Sequence, residues 1–378
     1  MKRQYTLFVS IMLAFLLALT SCINMVPAPN AGPKPVSPIV STGALADIEA
    51  TLEQIYDLAN PSVVNISIVI GSNTTFPQDA MGSGFIWDKA GHIVTNNHVI
   101  ADADDITITF PDGTMVPGKL VGADFDSDLA VVKIDMPADR LKPLSMADST
   151  RLKVGQLVIA IGNPFGLQGT MTVGFISALG RMVPTDENAH GASYNIPDVI
   201  QTDASLNPGN SGGVLLDATG KVIGVTQSMA STSGSSAGVG FAIPAAIVQQ
   251  VVPSLIKTGR YEHPYLGISV VSMSPTLATA MNLSATQRGT MIGSITAGSP
   301  ADKAGLKASQ TRVTINGHTV FVGGDIIITF NDQTVKSSDD LITFLSRSGV
   351  IGGTVSLTVL REGKQIKVPV IIGARPGA

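Results

Sequence analysis

Short apolar runs broken every few residues by Gly, Pro, Asn or Asp dominate the chain from Ser62 onward. "SVVNISIVI", "GSGFIWD", "HIVTNNHVI", "DITITF", "LAVVKI", "QLVIAIG" and "GKVIGVTQ" succeed one another, with "DKAG", "PDG" and "DATG" among the turn signals between them. Many short strands with such punctuation predict an all-β barrel or sandwich. Helical spacing is sparse. Ile48, Leu52, Ile55 and Leu58 mark one helix, which Asn60-Pro61 ends, and "PAAIVQQVVPSLIKTG" predicts a second that closes this region near Gly259. After "RYEHP" the pattern restarts: "YLGISVV", "GTMIGSI", "DIIITF" and "TVSLTVL" read as strands, "PADKAG" and "SSDDLITFLSRSG" as short helices. A separate, smaller domain of mixed type is therefore expected at 262–374.

Composition sharpens this picture in two places. The chain has 378 residues, 44% apolar and 14% charged, with a net charge of −4. That length suits two cores, and nothing in the balance suggests disorder or the clustered Lys and Arg of a nucleic-acid footprint. At the N-terminus, Lys2 and Arg3 precede "LFVSIMLAFLLALT", as in a secretory signal. The one cysteine, Cys22, follows after Ser21, so no disulfide supports the fold. Leu19-Thr20-Ser21-Cys22 resembles a bacterial lipobox, which implies a signal at 1–21, lipidation of Cys22 and a membrane tether outside the cytoplasm; an uncleaved anchor or plain secretion are the alternatives. Residues 22–45 are rich in Pro and small residues and read as a spacer. The barrel domain is expected at 46–258.

Candidate chemistry centres on "DASLNPGNSGG". Ser211 stands among Gly209, Gly212 and Gly213, in a loop able to aim backbone N–H groups at a point beside a hydroxyl. A serine needs a base, and the base an orienting carboxylate. His98, at a strand end in "VTNNHVI", and Asp128, in "DSDLAVVKI", supply the types in the order His, Asp, Ser. Gly209, Asn210 and Ser211 are the candidate oxyanion donors. "GNSGG" also satisfies the nucleophile elbow of α/β-hydrolases, but that motif needs a helix after the serine and a later histidine. Here "VLLDATGKVIGVTQ" reads as a hairpin and the fitting histidine lies upstream. A P-loop would need Gly where Leu215 stands. No H-E-x-x-H or paired cysteines suggest a metal, and no cofactor is expected.

"TNNHV", "DSDLAVVKI" and "GNSGG" resemble the three active-site signatures of the HtrA/Deg family of trypsin-fold serine proteases. "GSGFIWDKAGHIVTN", "AIGNPFG", "QTDASLNPGNSGG" and "GVGFAIP" extend the likeness over residues ~60 to 250. The resemblance implies two six-stranded β-barrels with the active site in the cleft between them, His98 as general base and acid, Asp128 as its orienter and Ser211 as nucleophile. Ser205, six residues before the nucleophile, would floor the main pocket, with Leu206 and Val239 as walls selecting small aliphatic side chains; alternatively these residues only pack the barrel. "QSMASTSGSSAG", residues 227–238, would be the family's regulatory loop.

"PYLGISV", "IGSITAGSPADKAGL" and "GGDIIITFNDQTV" resemble a PDZ domain of the bacterial protease-linked type, α+β in class. Such domains take an extended or C-terminal peptide as an added strand. Tyr265, Leu266, Gly267 and Ile268 stand where the carboxylate loop should be, and Leu341 and Leu345 could line the groove or belong to the core. An insertion at about 307–322 centres on Asn316-Gly317, a strong hairpin signal. The whole implies an envelope endopeptidase acting on unfolded or damaged proteins and assembling as a homotrimer. The other reading is a chaperone-like or peptide-sensing scaffold whose protease site is idle at rest.

Overall fold

The computed structural model describes residues 43–71, 78–164, 169–184, 195–227 and 238–376. The signal segment, Cys22, most of the spacer and residues 228–237 of the expected regulatory loop lie outside these. Glu49–Ala378 form one compact unit; of the unit before it, only Gly43–Ile48 is described. Helix α1 (Ala44–Ala59) buries Ile55 and Ala59.

Strands β1 (Val63–Ile70), β2 (Gln78–Ile86) and β3 (His92–Thr95) precede a one-turn helix, α2 (Asn97–Ile100). With β4 (Asp105–Thr109), β5 (Met115–Asp124) and β6 (Leu129–Ile134) they close a barrel in the order β1-β2-β3-β6-β5-β4. A second closed barrel follows: β7 (Leu157–Gly162), β8 (Thr170–Pro184), β9 (Asn195–Thr202), β10 (Val214–Asp217), β11 (Val222–Gln227) and β12 (Gly240–Pro244), ordered β10-β11-β12-β9-β8-β7. Helix α3 (Ala245–Thr258) ends the domain.

"LAVVKI" reads as a continuous apolar run because β6 is buried on both faces. Ala130, Val132 and Ile134 join Ile66, Ile86, Ile93 and Ile108 inside the first barrel. Their alternates Leu129 and Val131 join Phe85 and Val94 in a second cluster, with Ile159, Ile161, Val214 and Val225 of the other barrel and Val248, Val251 and Leu255 of α3. The strand's period of two thus divides its side chains between barrel interior and barrel junction.

The expected strand "HIVTNNHVI" breaks at Thr95, and Asn97–Ile100 turn helical. "VLLDATGKVIGVTQ" is the antiparallel hairpin β10–β11. Strands β5, β8, β9 and β12 escaped the sequence reading: β5 buries only Gly122 and Asp124, and its Pro117 and Gly118 look like turn residues.

The smaller domain contains β13 (Pro264–Tyr265), β14 (Ile268–Ser272), α4 (Pro275–Ala280), β15 (Thr290–Ile295), α5 (Pro300–Lys303), β16 (Thr311–Ile315), β17 (His318–Val322), β18 (Ile326–Phe330), β19 (Gln333–Thr334), α6 (Ser338–Ser348), β20 (Thr354–Arg361), β21 (Lys364–Ile371) and β22 (Gly373–Ala374). Its main sheet runs β14-β15-β18-β20-β21, and β16–β17 is the inserted hairpin, turning at Asn316-Gly317. A capping box between Ser337 and Asp340 starts α6.

The carboxylate of Asp325, fully buried, accepts from Arg361 Nε at 2.7 Å and from the Lys307 N–H at 2.9 Å. Removing one partner of such a pair strands the other charge. Arg361→Ala is expected to destabilise this domain by about 3–5 kcal/mol, read as a lower thermal midpoint.

Candidate active site

One loop of the second barrel lies across the junction with the first. Asn207-Pro208-Gly209-Asn210 turns back on itself, with the Asn210 N–H donating to Asn207 O at 2.9 Å. Pro208 and Gly209 (φ 95°) take the central positions that a type II turn assigns to Pro and Gly. Gly212, just after Ser211, has φ 84°, and a Cβ there would lie 2.1 Å from Ser83 O and 2.4 Å from Thr95 Oγ1. Only glycine lets this loop lie against β2 and the end of β3, three residues ahead of His98.

His98 and Asp128 are brought together. The ring Nδ1 of His98 lies 2.7 Å from Asp128 Oδ2, and the His98 N–H donates to Oδ1 at 2.9 Å. Asp128 is 4% exposed and holds a left-handed backbone (φ 52°), which aspartate tolerates better than most residues. Its own carbonyl accepts from Asn97 N at 3.1 Å and from Asn96 Nδ2 at 2.9 Å, tying the β5–β6 loop to the start of α2. Gln227 Nε2, from β11 of the second barrel, donates to Asp128 Oδ2 at 3.2 Å. A carboxylate with these donors fixes the imidazole with Nδ1–H toward Asp128, which makes Nε2 the basic nitrogen of the ring.

Ser211, 4% exposed, follows the turn, and its carbonyl accepts the Ser83 N–H at 2.8 Å. The Asn210 carbonyl accepts from Gly213 N at 2.9 Å and Thr226 Oγ1 at 2.5 Å. One expectation needs correcting: Asn210 N–H, a candidate oxyanion donor, is committed to Asn207 O within the turn. Gly209 and Ser211 are the candidates that remain.

Around the expected pocket, Ser205 and Val239 are exposed. Leu206 is 5% exposed, joins the cluster of Ile176, Ala204, Ile223 and Ala242, and abuts Gly240. Ser205 O accepts Thr172 Oγ1 at 3.0 Å.

In the smaller domain β14 is the edge strand, and Gly267 (φ 79°) precedes it. Tyr265 and Ile268 are half-buried. The groove expectation for Leu341 is corrected: at 2% exposure it belongs to the core with Leu266, Ile292, Ile327 and Val359. Leu345 lines a cavity of about 80 Å³ with Ile196, Val251, Tyr261 and His263, against the barrel domain.

That contact between domains is charged. Arg347 of α6 donates through Nε to Asp198 of β9 at 2.6 Å; burial pushes the Asp198 carboxyl up, and Arg347 opposes it. His263 Nε2 lies 2.8 Å from Asp124 Oδ1, and Arg375 pairs with Asp126, whose carboxyl burial also raises. Asp124 and Asp126 lie just before Asp128, so His263 of the segment between the domains and Arg375, which follows β22, together brace the loop that carries it.

Comparison with known proteins agrees with this architecture. A family model for a trypsin-like peptidase domain matches residues 82–225, and one for a PDZ domain matches residues 264–372. Protease Do-like 1, chloroplastic, of Arabidopsis thaliana is 39% identical over 334 residues, 87% of this chain and 73% of that protein. A probable periplasmic serine endoprotease DegP-like of Brucella suis is 39% identical over 298 residues, 79% of this chain; the chain spans 53% of that relative's length. Among solved structures, the HtrA-type protease AlgW with decapeptide superposes with a TM-score of 0.66 at 32% identity, covering 86% of this chain and 99% of that one.

Proposed function

The chain belongs to the HtrA/Deg family of serine proteases, and from that premise we propose that it is an extracytoplasmic endopeptidase of the cell envelope, cutting unfolded or damaged proteins at Ser211. The observation that carries this is the Asp128 carboxylate, which holds the His98 ring at 2.7 Å beside the loop bearing Ser211. Ser211 Oγ attacks the scissile carbonyl while His98 Nε2 takes its proton; Nδ1 keeps its own proton, donated to Asp128, whose carboxylate stabilises the imidazolium. The N–H groups of Gly209 and Ser211 receive the oxyanion. Collapse passes the proton from His98 to the leaving amine, and water, activated by the same base, releases the acyl group. Ser205, Leu206 and Val239 form the pocket for a small aliphatic side chain.

The domain at 262–374 receives a C-terminal or extended peptide along the open edge of β14, with Tyr265, Leu266, Gly267 and Ile268 at its carboxylate end. AlgW is itself described with bound peptide. Lipidation of Cys22 tethers the protein, the segment at 22–45 spaces the protease domain (46–258) from the membrane, and three copies assemble.

The test is to incubate the purified chain with a fluorophosphonate probe and, separately, with labelled casein. An adduct on the peptide containing Ser211, together with casein cleavage, is expected. A peptide ending in an apolar residue is expected to raise the cleavage rate. Peptide binding with neither adduct nor cleavage would favour the idle scaffold.

A further inference from the structure

The hydroxyl of Ser83 has no part in the chemistry described so far, yet it is fully buried at the junction of the barrels. It donates to Gly209 O at 2.6 Å and accepts from Asn163 N at 2.8 Å. The same residue donates its N–H to Ser211 O at 2.8 Å, and its carbonyl accepts Thr95 Oγ1 at 2.7 Å. Ser83 lies on β2 of the first barrel, which supplies His98 and Asp128, while Gly209 and Ser211 lie on the loop of the second. Resting on the peptidase reading above, we propose that Ser83 is a positioning residue, its hydroxyl and N–H together holding the oxyanion turn and the nucleophile in register with the base.

Asn207 O, Asn210 O and Ser211 O each accept a backbone N–H, whereas Gly209 O is held by the side chain of Ser83. A backbone donor persists through any substitution; a hydroxyl does not. Without it the buried Gly209 carbonyl is relieved by rotating its peptide toward another donor. That rotation carries the Asn210 N–H, in the same peptide plane, off Asn207 O and opens the turn, which displaces the flanking Gly209 N–H and Ser211 N–H, the proposed oxyanion donors. The bond crosses 126 positions in sequence, and no neighbour of Ser83 announces it. Asn163, just after β7, shares the hydroxyl, and its Oδ1 accepts the Gly169 N–H at 3.0 Å.

The test compares the full chain with Ser83→Ala and Ser83→Cys, the second keeping the bulk with a weaker donor. kcat, KM and their pH profiles on labelled casein, the rate of fluorophosphonate labelling, and the thermal midpoint are measured on each. Ser83→Ala is expected to lower kcat and the labelling rate together by roughly 10- to 100-fold, below the ~10²–10³ of losing an oxyanion donor outright. KM should stay within about twofold and the pH midpoint should not move, because the His98–Asp128 pair is untouched. Ser83→Cys should fall between, and it carries the test alone if the alanine variant does not fold. Parental kcat in either folded variant would overturn the proposal, as would a kcat loss accompanied by a displaced pH midpoint or a raised KM. If the parent neither labels at Ser211 nor cleaves casein, the peptidase reading fails and this proposal falls with it; an active parent with equally active variants sinks only the role of Ser83.

Discussion

Ser211→Ala is expected to lower casein turnover by about 10⁶-fold, leaving only what binding and an oxyanion site achieve without a nucleophile. The change removes a single oxygen. Ser211 is 4% exposed, and its backbone carbonyl keeps the bond from Ser83 N whatever the side chain. Its N–H also remains, so the loop keeps its shape. The thermal midpoint should therefore stay within a few degrees, and binding of a peptide with an apolar C-terminus should be unchanged. Fluorophosphonate labelling should vanish in parallel with turnover. Activity above about 1% of the parent's in clean preparations would place the nucleophile elsewhere, since a triad serine leaves far less behind.

Asp128→Asn should cost about 10⁴-fold in kcat, although it changes neither shape nor size. The carboxylate takes His98 Nδ1 at 2.7 Å, the His98 N–H at 2.9 Å and Gln227 Nε2 at 3.2 Å. An amide can accept at only one of its two heads. If its oxygen keeps the His98 N–H, its NH₂ faces Nδ1 and drives the ring proton to Nε2, the atom that must receive the serine proton. If it turns over, the His98 N–H loses its acceptor. The second arrangement sets the amide NH₂ against the His98 N–H, so the first is favoured and leaves the base in the wrong tautomer while the fold persists. The measurement is kcat and KM beside circular dichroism: kcat should collapse with KM altered less than about threefold. A folded variant retaining a tenth of the activity would show that Asp128 does not orient the base.

The chemistry was more legible in the sequence than its supports were. His98, Asp128 and Ser211 each stand in a distinctive local string, beside strands whose apolar runs are hard to mistake. Ser83, Thr226 and Gln227 lie in equally apolar strands, but their partners Gly209, Asn210 and Asp128 are 126, 16 and 99 positions away. No local pattern encodes such a pairing. Asn210 shows the converse limit: its position beside Ser211 suggested a donor, while the turn geometry that commits its N–H depends on Pro208 and on Gly209 at φ 95°. Strand order within each barrel could be expected only by resemblance, because β5 and the long β8 carry bulges and exposed stretches that dilute the alternation. In the smaller domain, Leu341 followed from helical spacing as an apolar position, but spacing does not say whether a leucine faces a groove or a core.

The parts of the site are divided: acid and base on one barrel, nucleophile and turn on the other, joined by Ser83 and Gln227. A chain still emerging from synthesis or translocation has neither half competent, since His98 has no serine to activate and Ser211 has no base. A protease made in quantity among folding neighbours is thus harmless until its own folding is finished. Any partial unfolding that parts the barrels disarms it in the same way.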